Sequence, residues 1–220
     1  MPSVDINMFE KGSGQNHLLS RILMLSHFYY NDVSFDADLL YQSYLYIRAK
    51  CEPHPSISQI ALQHLPNTTE NKHHDGVGSL WYNDGSVTSD SQFDTWNSDI
   101  EDSYIVQCLK SLPFPVVRTR IMIQSPKSCY SIHKDKTIRM HIPIYGAYDT
   151  YGKGGRFIFT GTSEVLAFEE GKVVLVNTTE EHTAMNCSTE KDRIHIVTCL
   201  PERHESDNEE LMKIYDRFGL

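Results

Sequence analysis

Two hydrophobic periodicities divide the chain. Up to about residue 112, apolar side chains recur at intervals of three and four; beyond residue 115 they alternate with polar ones. In the first part, Leu18, Leu19, Ile22, Leu23 and Leu25 predict an amphipathic helix over Gln15–Tyr30. Leu39, Leu40, Tyr44 and Ile47 predict a second over Asp36–Lys50, with Asp36 as its N-cap and the tyrosines 41, 44 and 46 as a packing stripe. After Pro53 and Pro55, a short third helix is expected over Ser56–His64. Residues 67–78 form a polar, turn-rich linker. Residues 79–98 hold both tryptophans, Trp81 and Trp96, and read as a hairpin or irregular loop beside a site. Asp99–Leu112 reads as a helix ended by Pro113 and Pro115.

From Val116 the residues become β-branched and alternating. Strands are expected over 116–123, 138–145, 156–160, 164–168, 172–177, 183–186 and 193–200, with turns at Gly152–Gly155, Gly161 and Glu170-Gly171. Many short strands with regular turns predict an antiparallel sandwich or jelly roll with flanking helices. Glu209–Phe218 reads as a terminal helix. The expected organisation is a helical and loop region over 1–112 packing on a β core over 113–202, then a C-terminal helix within 203–220.

Composition narrows the class. At 40% hydrophobic and 22% charged residues, the chain can bury a core. A net charge of −9 argues against a global nucleic-acid footprint, so no nucleic-acid partner is expected. Five cysteines without a CxxC pair fit neither a zinc ribbon nor a disulfide framework, and they suit a reducing cytoplasm. No signal-peptide pattern and no membrane-length apolar run is seen.

The chemistry-bearing stretch runs from Cys129 to Leu200. His133 and Asp135 are two apart, so on an extended strand they share a face. His182 follows much later, and Arg193 stands eleven residues after it. Two imidazoles and a carboxylate suit a non-haem Fe(II) site with open positions for O2 and a co-substrate. Strand parity puts Arg193 with His195, and Arg139 with His141, on faces opposite Ile194, Ile196, Met140 and Ile142. An arginine inside a sandwich needs an anion, and a dicarboxylic co-substrate would supply one. His73-His74-Asp75 offers nothing nearby to complete a metal site.

Residues 115–200 resemble the 2-oxoglutarate- and Fe(II)-dependent oxygenases, in particular the aspartyl/asparaginyl β-hydroxylase-like group with its bacterial proline-hydroxylase relatives. The likeness is carried by Ser131-Ile132-His133-Lys134-Asp135, Arg139-Met140-His141-Ile142-Pro143-Ile144, Phe168-Glu169-Glu170-Gly171-Lys172-Val173, Asn177–Asn186 and Arg193-Ile194-His195. It implies a double-stranded β-helix, a cupin-like jelly roll, with His133, Asp135 and His182 as iron ligands. It also implies Arg193 on the distal carboxylate of 2-oxoglutarate, and Arg139 and His141 beside that co-substrate. Asp135 favours the proline-hydroxylase side, since the vertebrate protein hydroxylases lack this carboxylate. A co-substrate-binding serine of those enzymes is replaced by Met122, with Arg118, Arg120 or Tyr130 as substitutes. The implied activity is hydroxylation of an amino acid or of a peptide or protein residue, with O2 consumed and 2-oxoglutarate decarboxylated to succinate. A cupin-like small-molecule binding protein and a metal-dependent isomerase are the rival readings, and neither needs a dicarboxylate clamp.

Overall fold

The protein is described by a computed structural model that covers residues 25–79, 89–147 and 153–220. Eight strands run through its second half: β5 (Val117–Gln124), β6 (Ser128–Cys129), β7 (Arg139–Tyr145), β8 (Gly155–Phe159), β9 (Glu164–Leu166), β10 (Lys172–Val176), β11 (His182–Asn186) and β12 (Arg193–Cys199). They form two antiparallel sheets. One has the order β10-β7-β12-β5, and the other has the order β6-β11-β8-β9. The chain crosses repeatedly from one sheet to the other, which is the strand order of a jelly roll.

The larger sheet grows to six strands. β1 (His27–Ser34) pairs with β10 at one edge, and β2 (Gln59–Ala61) pairs with β5 at the other. A separate pair, β3 (Gln63–His64) and β4 (Thr95–Trp96), lies beside it. Among the described residues three α-helices complete the architecture: α1 (Ala37–Lys50), α2 (Tyr104–Lys110) and α3 (Glu209–Phe218). No helix among the described residues is long and apolar enough to cross a membrane.

The alternation read from the sequence sorts the large sheet into two unlike faces. Met140, Ile142, Ile144, Ile194, Ile196 and Leu175 turn to the helices and pack with Leu40, Ile47, Ile105 and Phe218. The other parity turns inward, between the sheets. There Phe157, Phe159, Phe168, Val174, Val176 and Ala184 make a second, smaller apolar cluster. The inward residues of β5, β7 and β12 are instead polar or cationic: Arg120, Gln124, Arg139, His141, Arg193 and His195 are all at least nine-tenths buried. A jelly roll built only for stability would fill this space with aliphatic side chains.

Local signals explain the helix ends. Asp36 caps α1, its carboxylate accepting from the Leu39 N–H at 3.0 Å, as the sequence predicts. α2 is shorter than expected: Ser103 caps it, and residues 99–103 form a turn. Asn208 caps α3, and Gly219 ends it in the left-handed conformation at φ 70°.

Two expectations are overturned. Residues 27–30 of the expected helix over Gln15–Tyr30 belong to strand β1, where Phe28 and Tyr30 turn to the helix side and Tyr29 to the inner side; its earlier part lies outside the described residues. The expected helix over Ser56–His64 is strand β2 followed by β3, with Ile60 opposite Ile121. A nine-residue helix nucleates poorly alone, and the free edge of β5 offers ladder hydrogen bonds instead. Trp81 and Gly152 also lie outside the described residues, whereas Trp96 sits in β4.

Candidate metal centre

The loop after β6 returns to the start of β11, where His133 and His182 form an antiparallel bridge. The His133 N–H donates to the His182 carbonyl at 3.0 Å, and the His182 N–H donates back at 2.9 Å. This reciprocal bridge sets the two rings side by side, with centroids 4.5 Å apart. Two residues on, the Asp135 N–H donates to the Thr178 carbonyl at 2.8 Å and fixes the third side chain. Asp135 Oδ1 lies 3.9 Å from His133 Nε2, and Asp135 Oδ2 lies 3.7 Å from His182 Nε2. One ligand atom from each residue falls within 4.8 Å of the others, and this is the one such His/Cys/Asp/Glu group among the described residues.

The ring nitrogens are sorted by backbone carbonyls. His133 Nδ1 meets the Ser131 carbonyl at 2.7 Å, and His182 Nδ1 meets the Glu180 carbonyl at 2.8 Å. A carbonyl only accepts, so each Nδ1 carries the proton and each Nε2 keeps its lone pair. Burial lowers the pKa of His182 and keeps the ring neutral. Its ring stacks on Phe157, centroids 4.9 Å apart and planes at 15°. His182 is nearly enclosed and His133 is 42% exposed, so the group faces solvent on the His133 side. Two imidazoles whose Nδ1 atoms are held by carbonyls, beside one carboxylate, fit a divalent first-row metal with open positions.

Behind Asp135 runs a chain of alternating charge. The Arg139 guanidinium donates to Asp135 Oδ1 at 3.1 Å and lies 3.8 Å from Asp90 Oδ2. Its other terminal nitrogen meets Cys199 Sγ. Burial opposes the charge on Arg139, but Cys199, Asp135 and Asp90 outweigh it and raise its pKa. Asp90 in turn accepts from Arg118 at 2.8 Å and from Thr137 Oγ1 at 3.2 Å. Arg118 also donates to the carbonyls of Gly76 and Gly78. Its φ of 49° is a left-handed conformation rare for arginine, at a bulge where the β5–β12 register shifts between Val197 and Cys199. The strain turns the guanidinium inward onto Asp90.

Asp90 was invisible to sequence reading, since it sits in a run of turn-forming residues, Ser89-Asp90-Ser91-Gln92. Burial alone would raise its pKa, yet Arg139, Arg118 and Arg120 reverse this and hold it at about 2. Its ion pairs therefore stabilise the fold fully above the ordinary carboxylate range and lose that contribution as pH falls toward 2. Asp90→Ala is expected to cost about 3–5 kcal/mol at neutral pH by stranding buried guanidinium groups. Urea unfolding should show that gap narrowing below pH 4. Metal affinity should also fall by about 10- to 100-fold, because Arg139 loses the partner that helps aim it at Asp135.

The remaining candidates lie deeper in the barrel. Arg193 is fully buried, with one long contact, 3.4 Å to Gln124 Oε1, and an Nε atom without a partner. Burial lowers its pKa to about 10, so it stays charged at neutral pH. Its side chain lies across Gly155 of the opposite sheet, where an added Cβ would come within 2.6 Å of its Cδ and Nε. His141 and His195 sit 6.1 Å apart, and burial followed by Arg193 pushes both well below the ordinary imidazole range. Both ring nitrogens of His141 and Nδ1 of His195 lack hydrogen-bond partners. Met122 lies opposite His195. The terminal nitrogens of Arg139 meet Asp135, Asp90 and Cys199, and its Nε has no hydrogen-bond partner. Arg118, one suggested substitute for the missing serine, is likewise committed to Asp90, Gly76 and Gly78.

No family model matches the chain, and no curated protein matches it. Solved structures do. A 2OG-Fe(II) oxygenase-family oxidoreductase from Burkholderia pseudomallei shares 19% identity over 38% of this chain and 41% of its own, with a TM-score of 0.32. The viral collagen prolyl hydroxylase of Paramecium bursaria Chlorella virus-1, solved with 2OG, shares 10% identity over 80% of this chain and 95% of its own, with a TM-score of 0.45. A prolyl-4-hydroxylase from Pseudomonas putida shares 13% identity over 81% and 92%, with a TM-score of 0.44. These structural neighbours are 2-oxoglutarate- and Fe(II)-dependent oxygenases, prolyl hydroxylases among them.

Proposed function

We propose that this protein is an Fe(II)- and 2-oxoglutarate-dependent dioxygenase that hydroxylates an amino acid or a peptide or protein residue. The observation that carries the reading is a His/Asp/His group at the mouth of a barrel whose interior holds a buried, anion-less Arg193. His133, Asp135 and His182 would hold the metal. Arg193 would bind the distal carboxylate of 2-oxoglutarate, which removes the cost of an unpaired buried cation. Neutral His141 has ring nitrogens available to hydrogen-bond the co-substrate. Arg139 keeps the Asp135 carboxylate aimed.

Bound in this site, Fe(II) with O2 and 2-oxoglutarate supplies the oxidising chemistry, with succinate and CO2 as co-products. The chain's part is placement and exclusion of water. Phe157, Phe159 and Phe168 form an apolar wall beside His182 and His141. A binding protein or an isomerase would have no use for Arg193 as a clamp. Five free thiols suit a reducing compartment, and we assign the protein to the cytoplasm. The expectation of no nucleic-acid partner rests on net charge alone, and a jelly roll adds nothing to it.

The test is succinate formation from 2-oxoglutarate with Fe(II), across free amino acids and peptides. Turnover stimulated by one substrate class supports the reading. Absence of 2-oxoglutarate consumption, with Fe(II) bound to the protein, overturns it.

A further inference from the structure

Arg120 is the second cation of the interior. It projects from β5 on the same face as Gln124 and stands opposite Val197, four residues along β12 from Arg193. That places the two backbones about 13 Å apart by strand rise, with Arg120 toward the metal end and Arg193 deeper. Arg120 is 4% exposed. Its one hydrogen bond is a 3.4 Å contact to the Gly78 carbonyl, and its Nε has no partner. Among the described residues no carboxylate lies within ion-pair distance of it. Its charge is felt at Asp90, Tyr130, His141 and Cys199, which line the same space. Burial, then Arg118 and Arg139, lower its pKa to about 9, which leaves it protonated at neutral pH.

The charge balance around the site is unequal. Among the described residues four buried guanidinium groups, Arg118, Arg120, Arg139 and Arg193, face two carboxylates, Asp90 and Asp135. The charges of a divalent metal and of a 2-oxoglutarate dianion cancel, so the cationic excess survives loading with both. The co-substrate has one carboxylate for Arg193 and one, beside its keto group, for the metal. None is left for Arg120.

We infer that Arg120 is the docking point for a carboxylate on the substrate, so that the substrate is a small free acid, an amino acid with its carboxyl group unblocked, rather than a residue inside a peptide. The inference rests on the proposed oxygenase reading and narrows it. A buried guanidinium without an anion is costly, and a ligand carboxylate in a water-poor space gains a charge-assisted, bidentate contact. The same cation disfavours an internal peptide residue, whose neutral amide would leave it unpaired.

Calorimetry on the Co(II)-loaded protein with 2-oxoglutarate bound tests this, using the proteinogenic L-amino acids and their carboxamides as probes. One or more free acids should bind, with the matching amide weaker by at least about tenfold. In Arg120→Gln that discrimination should vanish while 2-oxoglutarate affinity changes by less than about twofold, and Arg120→Lys should restore part of it. The unliganded Arg120→Gln protein should melt no lower than wild type, since it loses an uncompensated cation; a clear drop would mark Arg120 as structural and overturn the inference. Acids that bind no better than their amides would also overturn it, as would 2-oxoglutarate weakened in Arg120→Gln as much as the acid. Failure of the oxygenase reading looks different: Co(II) or 2-oxoglutarate itself would not bind.

Discussion

His182→Ala is expected to weaken Fe(II) or Co(II) binding by more than about 100-fold and to abolish turnover. The other two candidate ligands gain from His182 in position as well as number. Its backbone makes both halves of the bridge to His133, and its ring stacks between His133 and Phe157. Alanine keeps the backbone bridge, so fold and sheet order should survive while the coordinating Nε2 is lost. Equilibrium dialysis with Co(II), run beside far-UV circular dichroism, separates the two effects. Unchanged Co(II) affinity in a folded variant would remove His182 from the site.

Arg193→Ala has the second largest expected effect, and it falls on the co-substrate. Loss of a buried charged partner costs about 2–5 kcal/mol of binding, so the KM for 2-oxoglutarate should rise by about 30-fold or more. Metal affinity should stay within about threefold, because no ligand contacts Arg193. The unliganded variant should lose little stability, since the removed cation has no anionic partner among the described residues. Gly155→Ala gives an independent check. Its new Cβ collides with the Arg193 Cδ and Nε and should push the guanidinium aside, raising the same KM at unchanged metal affinity. A co-substrate response unchanged in both variants would dismiss the clamp.

These expectations draw on different amounts of sequence information. The spacing of His133 and Asp135, the later His182 and the parity of Arg193 with His195 are local facts, and the alternation of β7 and β12 puts Arg139, His141, Arg193 and His195 on the inner face. The eight strands from β5 to β12 were legible for the same reason, save β6, whose two residues are too few to show a period. The N-terminal half was harder. β1 and β2 exist because the large sheet has free edges at β10 and β5, and no residue within either segment announces that.

What the sequence determined by itself is periodicity: which side chains share a face, where turns and caps fall, and which ligand types recur. Tertiary structure alone decided the company those side chains keep. It set Asp90 between Arg118 and Arg139, forty-nine residues from the second, and joined Arg139 to Asp135 as well. It laid Arg193 over Gly155 and left Arg120 without an anion among the described residues. Period and capping act over a few bonds and can be read along a chain. Charge pairing and burial act through space across two sheets, so they exist only once the sheets have closed.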